Sequence, residues 1–168
     1  MLRETILLTA LAAAGPPLDA QAPVDRTAAQ LAPIIESVSS ARLESTVRAL
    51  VGFGTRHTLS DTVSATRGIG AARRWVRTEF ERISRECGGC LEVLDVAEVF
   101  EGLPRVPGPT NVVSIVAIQR GTTDPDRFVL LSGDLDSRVS DIMNAVDSSP
   151  GANDNATGVA AVLEAAQV

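Results

Sequence analysis

The sequence is poor in several residue types that commonly build functional surfaces. Its 168 residues include no Tyr, one His and two Cys, and aromatic residues make up 3% of the chain. Because hydrophobic residues still amount to 45%, the core must be aliphatic, and the length suits one domain of ordinary size. Acidic residues outnumber basic ones, 21 to 15, for a net charge of −6. Nucleic acid is therefore not expected as a partner, since phosphate binding needs a basic face.

The sequence also lacks an apolar run of about 20 residues, the length that crosses a bilayer. Residues 1–22 instead have the pattern of a cleaved export signal. A positive start is followed by a short apolar stretch at residues 6–14 and by small residues at an A-x-A site, residues 20–22. An ordinary N-terminal helix is the alternative interpretation. We expect a signal peptide over residues 1–22, a secreted or periplasmic protein, and no membrane span.

The two cysteines, Cys87 and Cys90, are spaced as C-G-G-C. A zinc ribbon would need a second pair of cysteines, and a thioredoxin-like pair would place the first cysteine at a helix start. Here the pair follows a predicted helix. In an exported protein, a short structural disulfide between Cys87 and Cys90 is the favoured prediction, with two free thiols as the alternative.

Apolar periodicity predicts both helices and strands. The predicted elements are a partly helical lead-in over 23–40 that is interrupted at Pro33, helices over 40–51 and 64–86, strands over 91–100, 111–119 and 128–132, and a last helix from 156. The run FVLLS at 128–132 is typical of a strand buried on both faces. This order indicates an α/β fold with a mixed β-sheet flanked by helices. The last helix reaches Val168 without a capping signal, so we expect residues 23–168 to be the N-terminal part of a domain cut within a helix.

A series of aspartates follows the predicted strand at 128–132. They are Asp134, Asp136, Asp141, Asp147 and Asp154. Ligands of open α/β sheets bind beyond the carboxyl ends of the strands, and clustered carboxylates there need cations, protons or water to coexist. A divalent metal is the simplest solution, and a solvated acidic loop is the alternative. A calcium loop of the EF-hand type does not fit, because its spacing is missing.

Two motifs in this region resemble a known family. G-D-L-D-S-R at 133–138 and P-G-A-N-D-N-A-T-G-V-A-A-V-L-E at 150–164 are similar to the first half of the family-28 zinc exopeptidases, which are secreted or periplasmic di-zinc aminopeptidases. The family motifs usually read G-H-x-D-S and roughly P-G-A-N-D-D/N-A-S-G-V-A. F-G-T-R-H-T at 53–58 and G-I-G-A-A-R-R-W at 68–75 also resemble segments of bacterial members. The resemblance covers most of the chain after the signal segment.

The resemblance implies a zinc-exopeptidase-like fold and a site with two zinc ions that removes N-terminal residues from peptides. Asp154 is similar to the carboxylate that bridges the two metals, and the peptide bond after it can be cis in the family. Asp136 is similar to the catalytic-site Asp that supports a metal-ligating side chain. Asp134 departs from the family, which has His there. Asp can bind zinc through oxygen, so Asp134 stays a candidate ligand with altered affinity or metal preference.

The family's remaining site residues lie beyond Val168: a Glu-Glu pair with the general base, another carboxylate and a late His. This chain alone is therefore expected to be inactive. A non-catalytic truncated domain that binds a metal or a partner is the alternative function, and a relative with other chemistry, such as a carboxypeptidase or a glutaminyl cyclase, is a third. His57 is expected to pack within its loop, and Asn155, although part of an N-A-T sequon, to cap a helix.

Overall fold

The computed structural model describes the backbone of residues 22–168, with side chains from residue 28 onward. The predicted signal peptide over residues 1–22 lies, apart from Ala22, outside the described residues. Within the described part of the chain, no helix is long and apolar enough to cross a membrane.

The chain combines helices with a small sheet, as the α/β prediction requires. The elements are α1 (Ala22–Ser37), α2 (Ser40–Gly52), α3 (Gly68–Glu86), β1 (Glu92–Phe100), β2 (Thr110–Ile118) and α4 (Thr157–Gln167). An irregular turn, Ala152–Ala156, precedes α4, and the backbone angles of Asp154 and Asn155 within it are not helical. The strands β1 and β2 pair antiparallel, in a register that runs from Glu92 opposite Ile118 to Phe100 opposite Thr110.

The third predicted strand, over residues 128–132, is wrong. These residues are not part of a ladder, and the side chains of residues 128–131 are 63% to 89% exposed. A strand is stabilised by hydrogen bonds to a neighbouring strand, and no segment among the described residues pairs with this one. The continuous apolar run indicated a preference for burial, but it carried no information about a partner.

Helix α1 is continuous through Pro33, so the predicted interruption there is also wrong. Proline removes one backbone donor and usually kinks a helix. The side chains described in α1, from residue 28 to its end, are all exposed. The carbonyl that loses its donor to Pro33 can therefore bond to water.

The apolar stripe predicted on α3 forms the centre of the core. Its members Ile69, Ala72, Val76, Phe80 and Ile83 are all buried. Val76, Phe80 and Ile83 pack in one cluster with Leu50 of α2 and with Val159 and Leu163 of α4, and one face of the sheet covers this cluster. The helix begins at Gly68, four residues later than predicted, because Asp61 and Ser64 accept backbone hydrogen bonds in the turns before it. Beyond its far end, the sulfur atoms of Cys87 and Cys90 are bonded.

A buried carboxylate joins α4 to the start of α2. Glu164 is 6% exposed. Its Oε1 accepts hydrogen bonds from Ser39 N at 2.5 Å and Arg42 Nη2 at 2.6 Å, and its Oε2 accepts one from Arg42 Nε at 2.9 Å. The bond from Arg42 is the main cause that holds the pKa of Glu164 below its usual range, against the opposing effect of desolvation. These hydrogen bonds hold α4 against the start of α2, and α4 is the helix that follows Asp154.

Candidate functional site

Three loops near the end of α2 and the start of α4 contact one another, and two of them carry the candidate aspartates. We call residues 54–58 the platform loop, residues 133–138 the first acidic loop and residues 149–156 the second acidic loop. The platform loop begins where α2 ends, and the second acidic loop leads into α4. The platform loop and the second acidic loop are therefore each attached to a helix of the core.

The two acidic loops lie against each other at both of their ends. At one end, a Cβ added to Gly133 would lie 2.5 Å from the carbonyl carbon of Gly158, so the two backbones are in contact. At the other end, Ser137 Oγ donates a hydrogen bond to Ser149 O at 2.6 Å, and a Cβ on Gly151 would meet Ser137 Cβ at 2.5 Å. The aspartates of both loops lie between these two contacts along the chain.

The three predicted site aspartates have different surroundings. Asp134 and Asp154 are exposed, and within the described residues their carboxylates make no hydrogen bond or ion pair. Asp136 is half-buried, and its Oδ2 accepts a hydrogen bond from Thr58 Oγ1 at 3.0 Å. The carboxylates at 134 and 154 are thus open to a ligand, while the one at 136 is held by the platform loop.

The backbone around Asp154 agrees with two of the expectations. The peptide bond between Asp154 and Asn155 is cis, as the resemblance implied. The side-chain oxygen of Asn155 accepts a hydrogen bond from Gly158 N at 2.9 Å, in the first turn of α4. Such a bond satisfies one of the free N–H groups at a helix start, which is the capping role expected of Asn155.

Arg56 is the site residue that sequence reasoning missed. It is 1% exposed and makes four hydrogen bonds to carbonyl oxygens. Nε donates to Leu135 O at 2.8 Å, Nη1 donates to Leu50 O and Pro150 O at 2.8 Å each, and Nη2 donates to Gly151 O at 3.0 Å. The motif F-G-T-R-H-T at 53–58 was the only signal in the sequence that pointed to this loop.

Two guanidinium groups influence Asp136. Desolvation lowers the pKa of Arg56, and the charge of Asp136 opposes that shift. The pKa of Arg73, on α3, is shifted by the same two causes in the same order. The Nε of Arg73 is buried without a hydrogen-bond partner, while its Nη1 donates to Asn111 O at 3.3 Å. The negative charge of Asp136 is therefore partly balanced within the described structure.

His57 packs within its loop, as expected. Its Nδ1 accepts a hydrogen bond from Leu59 N at 3.1 Å, so Nε2 carries the proton and donates to Ile142 O at 3.0 Å. Both ring nitrogens are used, which leaves no lone pair for a metal.

The metal-binding capacity of these loops is incomplete. Among the residues that the structure describes, no three His, Cys, Asp or Glu side chains are grouped closely enough to hold a metal ion. A catalytic zinc takes about three protein ligands and a water molecule. Asp134 and Asp154 offer two carboxylates at most, so the described residues do not fit a complete zinc site and no chemical step can be derived through one.

Comparison with known proteins identifies the relatives of the chain. The model of peptidase family M28 matches residues 111–168, which include both acidic loops. A probable zinc metalloprotease of Pyricularia oryzae is 44% identical over 140 residues, which are 83% of this chain and 28% of that protein. One of Pyrenophora teres f. teres is 40% identical over 139 residues, 83% of this chain and 29% of that protein.

No solved structure matches the chain. The alignments with these relatives cover more than four fifths of the chain, but the chain spans less than a third of the relatives' own length. The family model covers both acidic motifs. The chain is therefore similar to peptidase family M28 over residues 111–168 and to probable zinc metalloproteases over most of its length.

Proposed function

We propose that the protein containing this chain is a metal-dependent peptidase, and more specifically a di-zinc aminopeptidase that removes N-terminal residues from peptides. The match to the model of peptidase family M28 and the names of the relatives, probable zinc metalloproteases, support the general activity. The observation that carries the proposal is the pair of exposed, unpartnered carboxylates, Asp134 and Asp154, on two loops that contact each other at both ends.

The aspartates do not all have the same role in this proposal. Asp154 and Asp134 would hold the zinc, with Asp134 in the place where the family has His. Asp136, held by Thr58 Oγ1, supports a metal-ligating side chain. Carboxylate oxygens are suitable zinc ligands, although a His-to-Asp change adds negative charge and favours harder cations. This chain contributes the first part of the site and is not expected to hydrolyse peptides alone.

The proposal includes an extracellular or periplasmic location, with residues 1–22 acting as an export signal and peptides as the substrates. It also keeps Cys87 and Cys90 as a structural disulfide, which is compatible with an oxidising compartment.

The decisive experiment measures zinc content and cleavage by the complete protein. Wild type should hold zinc and should release the first residue of a peptide with a free N-terminus while leaving the N-acetylated form intact. Asp154→Asn keeps the side-chain shape and removes the charge, so it should lose bound zinc and activity. Asp147→Asn is the matched control, because Asp147 lies just before the second acidic loop and its carboxylate accepts a hydrogen bond from Asn144 Nδ2.

Several results would count against this function. Cleavage that survives complete removal of metal would contradict a metallopeptidase. Equal cleavage of acetylated and free peptides would contradict an aminopeptidase while leaving a metal-dependent peptidase in place.

The second candidate is a non-catalytic domain that binds a metal or a partner. It is favoured by Asp134, which replaces the family His, and by the lack of a three-ligand group among the described residues. Zinc binding by the complete protein without any hydrolysis of peptides would select it.

A further inference from the structure

Core packing alone does not explain why Arg56 is buried. A buried charge is costly to desolvate, and an apolar side chain of similar volume is often an equal or better core residue. No carboxylate in the described part of the chain lies within ion-pair distance of Arg56, so a salt bridge does not offset the cost. Its partners are backbone carbonyl oxygens, four of them, and their positions in the chain indicate what the side chain accomplishes.

Three of these carbonyls belong to the acidic loops, and both loops contribute. Leu135 O lies between the two aspartates of the first acidic loop, and its hydrogen bond to Arg56 Nε measures 2.8 Å. Pro150 O and Gly151 O lie four and three residues before Asp154, at 2.8 and 3.0 Å from the Nη atoms. One planar group therefore joins the segments that carry all three proposed site aspartates.

The backbone of Arg56 strengthens the same connection. Arg56 N donates to Ser137 Oγ at 3.1 Å, and Arg56 O accepts a hydrogen bond from Ser137 N at 3.3 Å. Ser137 in turn donates to Ser149 O. The fourth guanidinium bond, to Leu50 O at 2.8 Å, anchors the whole arrangement to the last turn of α2. One residue that is attached to the core is thus hydrogen-bonded to both acidic loops.

We propose that Arg56 is a positioning residue that fixes the separation of the two acidic loops, and so of Asp134 and Asp154, for metal binding. The inference rests on the proposed metal site. It assigns Arg56 no contact with metal or substrate. The role needs a guanidinium group, because its rigid fork reaches carbonyls on three segments at once, whereas the single ammonium of lysine cannot.

The test compares three variants of the complete protein. Arg56→Met removes the donors and the charge, and Arg56→Lys keeps the charge without the fork. Ile83→Ala is the control for lost stability, because Ile83 is a buried core residue of α3 that makes none of these contacts. Zinc affinity is measured by competition with a chelator, at a temperature where circular dichroism shows every variant to be folded. Hydrogen exchange is measured without metal.

We expect Arg56→Met and Arg56→Lys to weaken zinc binding by about 10- to 100-fold, the usual effect of removing a group that orients metal ligands. Both should also speed hydrogen exchange in the two acidic loops more than in α3. Ile83→Ala should lower the melting temperature and leave zinc affinity within about threefold, because Ile83 makes none of the hydrogen bonds that join the two acidic loops.

Wild-type zinc affinity in Arg56→Met would overturn the inference and reduce Arg56 to a packing residue, while leaving the proposed function intact. Wild-type affinity in Arg56→Lys alone would overturn the requirement for the fork. An equal loss of affinity in Ile83→Ala would also overturn it, since general destabilisation would then explain the effect. A wild-type protein that binds no zinc would instead refute the proposed function, and the inference with it.

Discussion

The platform loop and the segment over residues 128–132 reverse the usual relation between polarity and burial. Arg56, the most polar residue type in the chain, is 1% exposed, while Phe128 is 88% exposed. The difference lies in the partners available to each residue. The three guanidinium nitrogens of Arg56 all donate hydrogen bonds, and the accepting carbonyls come from three segments of the chain. Residues 128–132, by contrast, have neither a pairing strand nor a covering apolar face among the described residues.

This contrast shows that hydropathy predicts a preference and that tertiary neighbours decide the outcome. A polar group can be buried when all of its hydrogen bonds are made. An apolar run gains from burial only when another surface covers it. Substitutions that change one side of this balance should therefore have effects that hydropathy alone would rank incorrectly.

The largest effect is expected from truncating a phenylalanine that does have partners. Phe80 is 4% exposed in the cluster formed by α2, α3 and α4. Phe80→Ala removes a large buried ring and leaves a cavity, so we expect the free energy of unfolding to fall by about 3–5 kcal/mol. Urea denaturation followed by circular dichroism measures the change.

Phe80→Leu is the matched control, and it should cost less than about 1.5 kcal/mol because it conserves most of the volume. If Phe80→Ala lowers the free energy of unfolding by less than 1 kcal/mol, the core as described is contradicted. Phe80 would then be as poorly covered as residues 128–131.

A smaller effect is expected at Glu164. It is a second polar residue that is buried with hydrogen bonds to both of its carboxylate oxygens. Glu164→Gln keeps the shape but weakens the bonds from Arg42 and Ser39, so we expect a loss of about 1–2 kcal/mol at pH 7. Glu44→Gln is the matched control, since Glu44 makes an exposed pair with Arg48 on α2, and such pairs contribute little.

The effect of Glu164 should depend on pH in a defined direction. Hydrogen bonding by Arg42 lowers the pKa of Glu164 in the folded chain. Its contribution is therefore fully present above the unfolded pKa, about 4.3, and is lost as the pH falls through the lower folded pKa. The difference between wild type and Glu164→Gln should shrink below about pH 4. A difference that stays constant down to pH 2 would contradict the assignment.

The fold was predictable where the pattern was local and periodic. The stripe of α3 recurs at helical spacing, and β1 and β2 are β-branched runs separated by a turn-rich connection, so each was found within a few residues. The start of α3 was set four residues early, because the side chains of Asp61 and Ser64 bond to backbone N–H groups and compete with the helix. The absent strand over 128–132 depended on non-local pairing, which no local pattern contains.

The acidic residues of the candidate site could be predicted from the sequence, but the residue that holds their loops could not. Asp134, Asp136 and Asp154 stood out by charge and by resemblance. Arg56 did not, because a single arginine in a loop is usually a surface charge. Its hydrogen-bond partners lie up to 95 residues further along the chain, and they are carbonyl groups, which every residue has. A motif in the sequence could point to this loop, but only the folded backbone shows what the loop binds.

The smallest effect is expected from polar substitution in the uncovered segment. Phe128→Ser should change the free energy of unfolding of this chain by no more than about 0.5 kcal/mol, because the ring makes no buried contact that could be lost. It should also reduce self-association, since it interrupts a run of exposed apolar side chains that offers unpaired backbone groups. Urea denaturation and light scattering of the same samples measure the two quantities. A loss above 1 kcal/mol would mean that Phe128 is packed, and the contrast with Arg56 would then rest on Arg56 alone.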